Sequence, residues 1–197
     1  MQDLNRAIEL LTIGVNATPQ DNPQRAVWLN NLGTWLKKRY DQTNSDTDLD
    51  CALRSYLDSW DMIVAQPSNR IESAKNAAGI LAIWLRWEQA SILLEEAVKL
   101  LPTVSLRLLK DIDKQSRLSN FAGLASMAAA TALNAGKEAF HALQTLELGR
   151  GVIAGLLVEM RSDISDLQQH HPENGIRVYG LSQGVGLQPI VAAFSRS

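Results

Sequence analysis

A single cysteine, Cys51, occurs in 197 residues. A lone thiol cannot close a disulfide within the chain, which argues against a disulfide-stapled secreted domain and for a reducing compartment. Aromatic residues are scarce, at 6%. Charge is nearly balanced, with a formal net of −2, and the only basic cluster is Lys37-Lys38-Arg39. That balance gives no electrostatic case for nucleic acid or a membrane surface. The cluster reads as cations late in a helix, where they complement its dipole. The apolar stretch from Phe121 to Leu133 is too short for a bilayer and is interrupted by Ser126 and Thr131. Met1-Gln2-Asp3 leads into a charged amphipathic helix, not a signal peptide. The expectation is a soluble, cytoplasmic chain, with 46% apolar residues to build one ordinary core.

Alanine and small residues supply the positive signal. Ala74, Ala77, Ala78, Leu81, Trp87, Ala90, Leu94, Ala97 and Pro102 fall at the spacings of a tetratricopeptide repeat. The pattern suits two antiparallel helices, with small side chains where backbones approach and a proline ending the unit. Ala7, Leu11, Gly14 and Pro19 repeat the steps of the second helix, and so do Leu49, Ala52, Tyr56 and Ser59. Leu29, Leu32, Gly33 and Leu36 repeat the steps of the first. The step from Gly33 to Ala52 is seven residues longer than that from Ala78 to Ala90, so Asp41 to Asp46 is expected to form an extended polar loop. A further helix is expected from about Leu109 through Phe121, Ala125, Met127 and Ala130, ending at Asn134-Ala135-Gly136. A last helix then carries Ala139, Leu143, Leu146, Ile153, Leu156, Leu157 and Met160. The fold expected is all-α, a right-handed tetratricopeptide-like stack over residues 1–172, with a divergent, poorly ordered tail over 173–197.

The opening helix would start inside the second half of a repeat. Its stripe of Leu4, Ala7, Ile8 and Leu11, continued by Val15, is therefore expected to lack a covering helix and to invite self-association.

Phe121-Ala122-Gly123-Leu124-Ala125-Ser126 and Leu146-Glu147-Leu148-Gly149-Arg150-Gly151-Val152-Ile153-Ala154-Gly155-Leu156-Leu157 resemble the region before the CHAT domain of large fungal tetratricopeptide proteins. Asp48-Leu49-Asp50-Cys51-Ala52-Leu53 and the segment from Leu94 to Pro102 are similar to repeats of those proteins. In that family a caspase- and separase-like domain with a histidine and cysteine pair follows. The resemblance implies protease regulation or partner sensing for the longer proteins. With 25 residues after Pro172, that domain is expected to be absent here, and the chain to be a truncated regulatory arm or a standalone binder.

Chemical motifs are weak. Gly180-Leu181-Ser182-Gln183-Gly184 matches a nucleophile elbow, but a hydrolase needs a preceding sheet and a later histidine. His170-His171 with Glu173 does not present both imidazoles to one ion, because adjacent helix residues diverge by about 100°. His141 shows no acid or cysteine partner at motif spacing, and Cys51 reads as structural. Gly149, Gly151 and Gly155 are spaced one residue too far for a dinucleotide fingerprint and suit close helix contact instead. Trp28, Trp35, Trp60, Trp84 and Trp87 read as packing residues. No catalytic residue, metal or cofactor is assigned.

The expected function is non-catalytic: a scaffold binding a peptide or helix in a groove lined by the first helix of each pair. Asn30, Asn31, Thr34, Lys37 and Lys75 lie on that face, where amide and ammonium donors suit a peptide backbone or carboxylate. Glu72 departs from the basic clamp of chaperone-tail-binding relatives.

Overall fold

Spacing by small residues is what sets this architecture. The computed structural model describes residues 2–104, 121 and 123–170, without the side chains of 156, 157 and 159–170. Its helices are α1 (Gln2–Ala17), α2 (Gln24–Thr43), α3 (Asp46–Asp61), α4 (Pro67–Ile83), α5 (Trp87–Leu100), α6 (Leu124–Asn134) and α7 (Ala139–His170). A short 3-10 turn, Leu101–Thr103, follows α5. There is no strand among the described residues. The chain divides into two compact units, Met1–Ile153 and Ala154–Ser197, and the described part of the second is the continuation of α7 to His170.

In the first unit each helix packs on the next, from α1 on α2 through to α5 on α6. The small and apolar residues that carry the expected repeat spacing are buried: Ala74, Ala77, Ala78 and Leu81 on α4, and Ala90, Leu94 and Ala97 on α5. One unit earlier, Leu29, Gly33 and Leu36 on α2 face Leu49, Ala52, Tyr56 and Ser59 on α3, all buried. Alanines with no exposed surface let the backbones approach closely while excluding water, which is the chief stabilising term. Pro67 opens α4, where its missing N–H costs nothing.

The polar stretch Asp41 to Asp46 is not an extended loop. Helix α2 runs on through Thr43 and α3 starts at Asp46, leaving a two-residue turn of Asn44 and Ser45. Seven extra residues are about two helical turns, and they are taken up by lengthening both helices. Asn44 ends α2 in the left-handed region at φ 55°, its N–H donating to the Tyr40 carbonyl. Lys37, Lys38 and Arg39 therefore precede the last turn of α2 and do not cap its dipole.

The stripe on α1 is covered in part, with Ala7 and Leu11 half-buried. Leu4, Ile8 and Val15 are buried, and α1 packs on α2, where Trp28 meets the backbone at Gly14. The large apolar residues of α1 left exposed are Leu10 and Ile13.

Helix α7 presents a different face from the one its leucines suggest. Ala142, Thr145 and Gly149 are buried, whereas Ala139 and Leu143 are exposed and Leu146 is half-buried. Gly149 abuts Ala125 of α6 so closely that a Cβ on it would overlap the Ala125 methyl. Gly151 and Gly155 face open space, so of the three glycines Gly149 alone marks the close contact. The turn before α7 falls at Asn134 to Gly136, as expected from sequence, with Gly136 at φ 76°. The expected helix start near Leu109 and the tail from Glu173 lie outside the described residues.

Candidate functional site

A groove of about 300 Å³ opens between α2, α4 and α6. Lys37 comes from α2, Lys75, Asn76, Gly79, Ile80 and Ile83 from α4, Met127 from α6, and the Tyr56 ring enters from α3. Successive turns of α4 place Lys75, Gly79 and Ile83 in one row, four residues apart, which is the spacing of neighbours on a helix face. At Gly79 no heavy atom lies within 4 Å of where a Cβ would sit, so the groove reaches the α4 backbone. The lining has two ammonium groups and one amide above an apolar floor. Among the described residues, the lining has no carboxylate, imidazole, thiol or aliphatic hydroxyl.

Of the five residues expected to bind, Lys37 and Lys75 line this groove. Lys37 Nζ donates to Asp41 Oδ1 at 2.5 Å across one helical turn and lies 5.6 Å from the Tyr40 ring centre. Exposed pairs of this kind hold weakly and exchange partners readily. Asn30 turns toward α4 instead. Its Oδ1 accepts from Ser73 Oγ and Asn76 Nδ2, each at 3.2 Å. Below it, Ser59 Oγ donates to the Ala26 carbonyl at 2.8 Å and lies 2.7 Å from Ser73 Oγ. Asn30 thus belongs to a polar seam joining α2, α3 and α4, satisfied where a buried polar group would otherwise be costly. Thr34 accepts from the Tyr56 hydroxyl at 3.2 Å and donates to the Asn30 carbonyl at 2.9 Å. Asn31 is exposed and outside the groove lining.

Tyr56 and Asn76 are groove residues that the first-helix pattern did not indicate. Burial pushes the Tyr56 phenol above its usual range; the Thr34 hydrogen bond opposes this, and Glu72 and Asp41 add to it. The phenol is a neutral hydrogen-bonding wall.

Other charged groups are structural. Arg39 forks onto Asp48, with Nε to Oδ2 at 2.7 Å and Nη2 to Oδ1 at 2.6 Å, and Nη1 reaches Asn5 Oδ1 at 3.0 Å. His141, which showed no partner at motif spacing, lies 3.0 Å from Glu95 Oε1 through Nε2. Lys137 Nζ and Ser91 Oγ reach the same oxygen at 2.8 Å. None of the five tryptophans is fully buried. Lys38 sits over Trp35, Arg70 over Trp60 and Arg86 over Trp84, at 4.8 to 5.0 Å, so these rings pack under cations.

Cys51 is free and half-buried. Among the described residues, no group of three His, Cys, Asp or Glu side chains could hold a metal ion, and no helix is long and apolar enough to cross a membrane. The Gly180–Gly184 motif and the His171 and Glu173 side chains lie outside the described residues, as does the His170 side chain. No family model matches the chain, and no curated protein is similar to it.

Proposed function

We propose that this chain is a non-catalytic protein-interaction scaffold: a right-handed, tetratricopeptide-like stack that binds a peptide or helix in the groove between α2, α4 and α6. One observation carries the reading. The groove is lined chiefly by the first helix of successive pairs, and it is open down to the backbone at Gly79. Pockets built for recognition combine an apolar surface with a few convergent polar groups, and Ile80, Ile83 and Met127 beside Lys37, Lys75 and Asn76 supply both. Main-chain carbonyls or a carboxylate of the bound segment suit the lysine and amide donors. A cytoplasmic setting fits the lone Cys51, which needs no oxidised partner.

The test is Gly79→Leu. The new side chain has room to enter the groove, and glycine in a helix interior is worth about 1 kcal/mol less than a good helix former. The variant should therefore fold at least as stably while losing peptides that the parent retains on a peptide array. Retention of the same peptides by Gly79→Leu, or no peptide binding by the parent, would refute the groove as the binding site.

A further inference from the structure

Among the described residues, Asn76 contributes the only side-chain amide to the groove lining. It is half-buried, and its Nδ2 donates to Asn30 Oδ1 at 3.2 Å. The same Asn30 oxygen accepts from Ser73 Oγ at 3.2 Å. Ser73 is fully buried and lies 2.7 Å from Ser59 Oγ, which is equally buried and donates to the Ala26 carbonyl at 2.8 Å. Turning over either amide alone would set two donors or two acceptors face to face. The Asn30 side therefore holds Asn76 with its nitrogen inward and its Oδ1 toward the groove. Asn30 itself is not part of the lining.

The groove's cations are already engaged: Lys37 is paired with Asp41, and Lys75 has a partner of its own. Beside them the lining offers a neutral acceptor, next to the apolar surface of Ile80, Ile83 and Met127. Main-chain N–H is the donor that every peptide carries. An extended segment presents it along its length, whereas a helix uses its own beyond the first turn. Gly79 lies three residues after Asn76, on the same side of α4, and is open at the Cβ position, so a main chain can approach the helix closely there. We infer that the occupant is a peptide in extended conformation, read through a main-chain N–H at Asn76 Oδ1, and that Asn30 is the positioning residue that sets Asn76. The inference rests on the peptide-binding reading above and narrows it from a peptide or helix to an extended segment.

The experiment uses the full chain and a random twelve-residue peptide library displayed on phage. The tightest peptide selected is resynthesised with each main-chain N–H methylated in turn and titrated by calorimetry. For the parent, methylation at one position should weaken binding about tenfold, the scale of one lost hydrogen bond. Against Asn76→Leu, which keeps the bulk and loses the amide, the same methylation should cost nothing. Asn30→Asp keeps an oxygen facing Asn76 and Ser73, and should bind as the parent does. Asn30→Leu should bind about tenfold more weakly and lose the methylation effect with it. Should Asn30→Leu not fold, Asn30→Ala takes its place with the same expectation. A leucine or alanine variant that melts lower yet binds and responds to methylation like the parent would overturn the positioning role, because a purely structural residue behaves that way. A bound peptide that is helical by NMR, or methylation that costs the parent and Asn76→Leu alike, would overturn the main-chain reading and leave the groove standing. If the library yields no peptide that Gly79→Leu releases, the groove reading fails and this inference fails with it.

Discussion

Tyr56 occupies the space beside Gly33: a Cβ on that glycine would lie 2.7 Å from the ring's Cε1 and 2.8 Å from Cδ1. The ring is nearly fully buried between α2 and α3, with its hydroxyl tied to Thr34, so it has little freedom to retreat. Two effects oppose each other in Gly33→Ala. Helix propensity favours alanine by about 1 kcal/mol, while overpacking a tight core costs about 1–3 kcal/mol. Overlap at this distance makes packing win, and the variant should lower the denaturant midpoint. A second change, Tyr56→Leu, should make the alanine nearly neutral or stabilising. An additive double mutant would show that the two sites do not meet.

Gly149 and Gly151 offer the same contrast within one helix. The first abuts Ala125, with Val98 also near, and the second has open space. Gly151→Ala should stabilise the chain by roughly 0.5–1 kcal/mol. Gly149→Ala should destabilise it by about 1–3 kcal/mol, because the added methyl forces α6 and α7 apart. Thermal melts of the two variants should move in opposite directions; movement in the same direction would exclude this packing.

Arg39 ties three helices together through Asp48 on α3 and Asn5 on α1. Asp48 is buried, and its hydrogen bonds raise the guanidinium above its ordinary value. Arg39→Lys keeps the charge but cannot reproduce the fork. The expected cost is about 1.5–3 kcal/mol, the range for lost hydrogen bonds to a charged group. Urea unfolding of this variant beside Arg39→Met separates geometry from charge: the two should be similarly destabilised.

The close helix contacts were legible because alanine carries them. Ala74, Ala77 and Ala78 recur at helical spacing, and nothing but a close helix contact needs so many small residues on one face. The turn at Asn44 was misplaced because Asp41, Gln42 and Thr43 are polar yet break no helix; they extend it on its solvent side. The buried face of α7 was hidden for the converse reason. Ala142, Thr145 and Gly149 pack while the larger Leu143 does not, so a pattern weighted by side-chain size selects the wrong face. In the groove, the lysines were readable from the first-helix face. Asn30 was not, because its role depends on Ser73 and Asn76, distant in sequence and adjacent across α2 and α4.

Glu95 makes the acid limb of stability testable. Burial alone would raise its carboxyl, but hydrogen bonds from Lys137, His141 and Ser91, together with the Lys137 charge, bring it down to about 2. A carboxylate depressed on folding stabilises the native state above its unfolded value, and that contribution is lost as pH falls through the folded one. The unfolded value is near 4.5, so the window runs from about pH 4.5 down to about 2. Lys137→Met removes the first of the three donors and the charge with it. The variant should be less stable than the parent at pH 7, by about 1.5–3 kcal/mol. The difference should shrink through that window as Glu95 takes up a proton in both proteins. Melting temperature measured from pH 7 to pH 2 checks this directly. A gap that stays constant across the range would mean that Lys137 stabilises the turn into α7 through its packed stem and not through Glu95.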